Sequence, residues 1–384
     1  MKIVIAPDSF KGSMTSIAAA EAIRRGIHQI NPLCEKVIIP MADGGEGTVD
    51  AMMSIMDGET SSAQVRDPLG RAISAAFGWV PETKTAVIET AAASGLTLLK
   101  ESELNPGVAS TFGTGELVKT VLDLGAENII LGLGGSATVD GGAGFLQALG
   151  IRFFNKQGDV LEAGGNMLGE IQSIDSTQLD QRLMRIKWTV ASDVTNHLLG
   201  DEGAVTVFGP QKGVTVETLA AFEGGMEHFA EKVVEHTGLD CRLDQGSGAA
   251  GGLGFSLLSF FRPVFKSGFS IIATESSLED HLKDATLVLT GEGKVDVQSL
   301  YGKVPVGIGR IAGQYGIPVA VFAGKIEGDL ELLHSEGIQL ILPIVNGPMT
   351  LTEAMTNGSA LLEEAAWRLM RTYELFGKTG NNPD

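Results

Sequence analysis

Carboxylates, lysines, hydroxyls and glycines recur together at places in this chain where apolar runs stop. Asp8, Ser9 and Lys11 follow the β-branched run 2–6, which ends at Pro7, as a buried parallel strand ends at a loop. Asp43, Gly44, Gly45 and Glu46 follow a second short run, 37–39. Asp193 and Asn196 follow the run 187–191, and Lys294 and Asp296 follow 286–289, with Lys303 shortly before another helix. Carboxyl ends of strands are where open α/β sheets bind ligands.

The most glycine-dense of these loops spans 129–144, where an apolar run of strand length breaks into Gly134, Gly135, Ser136 and Thr138 and then resumes at helical spacing. Strand, loop and helix in that order predict an anion site, because free N–H groups and the helix dipole favour negative charge and glycine lets the backbone approach it. Pairing this loop with Lys11 gives a phosphate site. Gly251 and Gly252 lie in a literal GxGxxG run before an apolar helix, but no clear strand precedes it, so a dinucleotide reading is weak there. Each loop also has a plainer explanation: a tight turn at 129–144, an Asp/Ser helix cap at Asp8 and Ser9, an Asx-turn at Asp193, dipole compensation at Glu46, and close helix packing at Gly251 and Gly252.

Together the loops supply phosphate cradles, carboxylates, and the lysines Lys11, Lys212, Lys294 and Lys303 beside glycines. Phosphoryl transfer uses such parts: backbone and lysine on the transferred phosphate, Mg²⁺ on carboxylates, and an acceptor aligning the attacking hydroxyl. The Walker A, protein-kinase, GxSxG and HExxH signatures are all absent.

The elements that hold these loops alternate strand and helix at both chain ends, with five buried strands and helical crossovers. Between them, 72–80 and 85–89 read as an antiparallel hairpin. The simplest assembly is a flavodoxin-like parallel sheet built from residues 1–66 and 287–384, split by a large inserted mixed α/β domain, 67–286, with the active site in the cleft between the two.

Composition narrows the function classes. A net charge of −19 with scattered basic residues gives no footprint for nucleic acid. No apolar run reaches the ~18 residues of a membrane span, and the first eight residues turn polar too early for a signal peptide. Two cysteines in unrelated contexts offer neither a disulfide framework nor a zinc site. The expectation is a cytoplasmic protein. Glycine, at 51 of 384 residues, is nearly twice its usual share and clusters in the loops.

In chain order, IAPDSFKGS, ADGGEGTVDA, AAASGL, TFGTGEL, GLGGSATVDGGAGFLQALG, SDVTN, VFGPQKG, GAAGGLGF and TGEGKVDVQSLYGKVP resemble the motifs of the bacterial glycerate kinase family. The resemblance covers residues 2 to about 342. It implies ATP-dependent phosphorylation of D-glycerate, usually at the 2-hydroxyl, with Mg²⁺, on a two-domain α/β fold. Phosphorylation at the 3-hydroxyl and non-catalytic binding of small anions are the alternatives, with a dehydrogenase behind them. Two positions depart from the family pattern: His197 replaces a proline after SDVTN's asparagine, and Lys294 replaces an arginine, keeping charge but losing the bidentate fork.

Within that reading Asp193 is the expected base, and Lys294 or Lys303 offsets the substrate's charge. Asp296 competes as base, and Asp193 and Asp296 are the expected Mg²⁺ contacts. Asp8, Ser9, Lys11, Asp43, Gly44, Gly45, Glu46, Gly134, Gly135, Ser136, Thr138, Asn196, Lys212, Gly251, Gly252 and Lys303 are expected to line the binding sites. Partners are small molecules, D-glycerate and ATP, with neither nucleic acid nor membrane. A homodimer is compatible with the sequence, which carries no signature for or against it.

Overall fold

The computed structural model describes residues 1–296, 303–328 and 330–379, the side chains of 376–379 excepted. The VQSLYG part of the last motif, 297–302, therefore lies outside the described residues. Thirteen strands occur among them: β1 (Lys2–Ile5), β2 (Glu35–Ile38), β3 (Glu59–Arg66), β4 (Ala72–Val80), β5 (Thr85–Glu89), β6 (Asn128–Gly132), β7 (Arg152–Phe154), β8 (Ser173–Asp175), β9 (Lys187–Ala191), β10 (Val264–Lys266), β11 (Leu287–Val295), β12 (Val319–Ile326) and β13 (Leu340–Pro343). The chain forms two compact units, one of residues 1–43, 54–56 and 269–384, the other of 44–53 and 57–268.

The first unit carries an all-parallel sheet in the order β2-β1-β11-β12-β13, the flavodoxin-like arrangement. Helix Ser16–Ile30, capped by the Thr15 hydroxyl on the Ala18 N–H, packs on Gly358–Thr379. Gly26 is required there, since a Cβ would sit 2.3 Å from the Glu363 carbonyl. Ile3, Ile5, Ile23, Ile27, Phe322 and Leu362 are buried in one core.

β11 and β12 run longer than the sequence suggests. TGEGK lies inside β11 rather than after it, because the ladder with β12 continues to Val295 opposite Ile326. Gly324 makes this possible: a Cβ there would stand 2.6 Å from the Gly293 carbonyl.

The second unit holds a mixed six-stranded sheet, β10-β9-β6-β5-β4-β3, with the hairpin β4–β5 where the sequence placed it. β3 went unread because its serines, threonine and glutamine give little apolar alternation: one face is solvent-exposed and only Val65 is buried. Its antiparallel pairing with β4 draws residues 57–66 into this unit, so the division falls earlier than 67, and it returns near 269 rather than 287. β5, β6 and β9 are parallel and end in register, Glu89 beside Gly132 beside Ala191. Three adjacent strand ends thus deliver Glu89, the loop from Leu133, and the loop carrying Asp193. Phe145, Phe153, Phe229 and Phe255 fill the core, and Trp188 stacks on Phe261 at 5.2 Å.

Candidate active site

In the first unit the ends of β1 and β11 and the segment after β2 converge on a cavity of about 230 Å³ lined by Asp8, Ser9, Lys11, Asp43, Glu292, Gly293, Lys294 and Lys303. The Asp8 N–H donates to the Gly291 carbonyl at 2.8 Å, which carries the loop alongside β11. Asp8 is itself buried, and its Oδ1 accepts the Ser9 N–H at 2.6 Å. Burial, with the neighbouring Asp43 charge, pushes its carboxyl up to about 7, against the pull of the Ser9 N–H and Lys11.

Three lysines surround these carboxylates. Lys11 Nζ is 2.9 Å from Asp43 Oδ2; burial works against its charge, yet Asp43, Asp8 and Glu292 hold the ammonium above the usual lysine range. Lys303 Nζ is 3.1 Å from Glu292 Oε2 and 4.0 Å from Asp296 Oδ1. Lys294, exposed, bridges Asp296 at 2.7 Å and Glu327 at 3.0 Å. The cluster therefore joins Asp8, Ser9, Lys11, Asp43, Lys294, Asp296 and Lys303, each a candidate from the sequence, and adds Glu292. Glu292 is 6% exposed, and its position inside a glycine-flanked strand gave no signal of its own beyond the TGEG motif.

The second unit has a smaller cavity, about 140 Å³, lined by Leu133, Gly134, Gly135, Ser136, Val194, Phe208, Gln211, Lys212 and Ala250. The lysine brought to the 134–138 loop is Lys212, whereas Lys11 is paired with Asp43. Lys212 is 3% exposed. Its Nζ donates to Ser136 Oγ and to the Thr138 carbonyl, each at 2.8 Å. Burial drives its pKa down to about 7, with Asp140 pulling the other way.

The helix N-terminus expected to receive a phosphate is occupied from within the chain. The helix Ala143–Ala148 starts over the carboxylate of Asp140, which accepts the Gly142 and Gly144 N–H groups together with the Thr111 N–H and hydroxyl. Asp140 is fully buried, and burial raises its pKa despite those bonds. Its role is to fold the glycine loop.

Other expected residues also hold backbone against backbone. Ala250, Gly251 and Gly252 form a left-handed turn with φ of 52°, 66° and 91°. A Cβ on Gly251 would lie 1.9 Å from the Thr138 carbonyl, and one on Gly252 2.9 Å from Gly141 Cα. Gly44 lies against Ala191, and Gly134 would place a Cβ 2.6 Å from Gly45 Cα, so these glycines bring the 44–47 loop onto the ends of β6 and β9. Thr138 Oγ1 is buried without a hydrogen-bond partner. Asp193 is exposed beyond the end of β9, and the Asn196 side-chain amide donates to the Glu202 carbonyl at 2.8 Å.

Glu46 is exposed and acts on a residue sequence reading passed over. Glu89, at the end of β5, accepts the Val49 N–H at 2.7 Å. Burial, with Asp50 and Glu46 nearby, lifts its carboxyl to about 7. Its position at a strand end was the available signal.

A family model described as "Glycerate kinase family" matches residues 3–374. The chain belongs to the glycerate kinase family. It is 44% identical over 364 residues to a glycerate kinase of Halalkalibacterium halodurans, covering 95% of this chain and 96% of that one. It is also 44% identical over 354 residues to glycerate 2-kinase of Escherichia coli K12, covering 92% and 93%. The fold matches a crystal structure of a proposed glycerate kinase 2 from Salmonella typhimurium LT2 with a TM-score of 0.88 and 40% identity, over 98% of this chain and 99% of that one. Among the described residues no helix is long and apolar enough to cross a membrane.

Proposed function

We propose that this chain transfers the γ-phosphoryl group of ATP to the 2-hydroxyl of D-glycerate, giving 2-phospho-D-glycerate and ADP. The observation that carries the reading is the near full-length 44% identity to the E. coli protein named glycerate 2-kinase. The polar cluster supports it, since phosphoryl transfer depends on positioning and on cations that meet charge developing on the transferred group. Lys11, Lys294 and Lys303 are such cations, already gathered at one cavity.

Mg²⁺ takes oxygen ligands and, beside a nucleotide, is held by one or two carboxylates with phosphates and water completing the shell. Carboxylates of that kind are present, and among the described residues no group of three or more His, Cys, Asp or Glu forms a ready cage. Asp193 and Asp296 are the proposed contacts, Asp296 sharing its carboxylate with Lys294. The ion would screen charge on the phosphates.

Asp193 is the proposed acceptor for the hydroxyl proton, being a carboxylate presented at a strand end. One observation favours a second assignment: Asp8 is buried at a cavity with its pKa raised to about 7, the match to working pH that an efficient base needs. The test of the overall reaction is a coupled ADP assay followed by ³¹P and ¹³C NMR of the product. A 2-phosphoglycerate signal appearing with ADP supports the reading. A 3-phosphoglycerate signal would move the chemistry to the other hydroxyl, and nucleotide binding without turnover would leave a small-anion binder.

A further inference from the structure

We propose that Lys212, Ser136 and the Gly134–Gly135 backbone form the subsite that recognises the carboxylate of the acid substrate, separate in role from phosphate binding. This rests on the glycerate reading above and assigns the acid's carboxylate to a place in the second unit.

Lys212 is a buried amine whose protonated form has no counter-ion within 4.0 Å among the described residues. Its Nζ uses two of three N–H donors on neutral oxygens, Ser136 Oγ and the Thr138 carbonyl. Asp140 is the charged group that acts on it, but the oxygens of Asp140 are committed to Thr111, Gly142 and Gly144. Removing an ammonium from water without pairing it is costly. An arriving anion that completes the pair favours the charged form.

The space beside Lys212 selects the anion. At about 140 Å³ the cavity is well below the ~300–1,000 Å³ of sites for drug-sized ligands, so a nucleotide exceeds it while the carboxylate end of a three-carbon acid does not. One buried cation balances one negative charge, which suits a carboxylate better than a phosphate dianion. The wall is held stiffly. Ala250 lines it in a left-handed conformation that non-glycine residues seldom adopt, and Gly251 behind it is wedged on Thr138. Backbone strain of this kind persists where surrounding packing fixes it, commonly at ligand clamps.

The amine of Lys212, poised near neutrality, adds a pH signature. Above pH 7 the free protein holds it increasingly neutral, so carboxylate binding must take up a proton, and the KM for D-glycerate should rise about tenfold per pH unit.

The test measures KM for D-glycerate and for ATP separately, in wild type and in Lys212→Met. We expect the variant to raise the D-glycerate KM about 10- to 100-fold, the effect of losing a hydrogen bond to a charged group, with the ATP KM within twofold and the pH dependence gone. Calorimetry on the wild type, with ADP present, guards against a misfolded variant: in buffers of different ionisation enthalpy, D-glycerate should take up protons at pH 8 and none at pH 6. An unchanged D-glycerate KM, a rise confined to ATP, or no proton uptake at pH 8 overturns the assignment. Absence of wild-type turnover on D-glycerate instead overturns the functional reading on which it rests.

Discussion

The two cavities handle charge in opposite ways. In the first unit a carboxyl, Asp8, is pushed up to about 7 beside lysines that are paired with other carboxylates. In the second an amine, Lys212, is pushed down to about 7 among neutral oxygens. Desolvation drives both shifts, since it disfavours whichever form is charged. The consequences differ: the first cavity has a proton acceptor with cations around it, the second a cation source that responds to one small anion. The same physics, applied to an acid and to a base, yields a site suited to moving a proton and a site suited to holding a carboxylate.

The largest expected effect separates the two candidate bases. Asp193→Asn should cut kcat by about 10²- to 10⁴-fold with the fold intact, the range for a positioned base. If it keeps turnover within threefold while Asp8→Asn loses that factor, the acceptor belongs to the first cavity; the same result with Asp296→Asn would move it to Asp296.

Next in size is the rigidity of the second cavity. Gly251→Ala forces a Cβ to within 1.9 Å of a carbonyl at a left-handed φ of 66°, a combination in the class of substitutions that cost over ~4 kcal/mol. Gly47→Ala, also left-handed but with nothing near its Cβ, should cost only about 1–2 kcal/mol. Urea unfolding of both variants measures the gap, and equal losses would show that the 250–252 wedge carries no special load.

A smaller effect concerns stability of the first unit against pH. The folded pKa of Asp8 lies above its unfolded value, so its contribution to stability is fully present below pH ~3.9 and is lost as pH rises to about 7. Asp8→Asn removes the charged form, and should raise the unfolding midpoint at pH 8 by several degrees while giving no gain at pH 4. A variant less stable at pH 8 than wild type would mean that Lys11 and the Ser9 N–H outweigh burial. Smallest of all, Lys294→Met should leave the unfolding midpoint nearly unchanged, because its bridges to Asp296 and Glu327 are solvent-exposed at the lysine; calorimetry would detect a departure.

How much of this was visible in the sequence follows from range. The parallel sheet, the hairpin and the loops at strand ends were legible because β-branched runs and glycine punctuation are local signals. β3 was not, because its polar face hides the alternation. Asp8, Lys11, Asp43 and Lys303 were marked by their loops, yet their convergence depends on strand order. The partnership of Lys212 with Ser136 spans 76 positions and has no local sign, so the sequence pairs the anion loop with Lys11 and gives no pointer to the lysine of its own unit. Asp140 was read past for a related reason: a carboxylate at a helix start looks the same whether it faces a ligand or holds its own loop together.

The comparison between the cavities is most directly tested by titrating both groups in one sample of the unliganded protein, with ¹³C-labelled aspartate and lysine assigned through Asp8→Asn and Lys212→Met. The carboxyl midpoint of Asp8 and the amine midpoint of Lys212 should both lie near 7. An Asp8 midpoint near the ordinary 4, or a Lys212 midpoint near the ordinary 10, would contradict this.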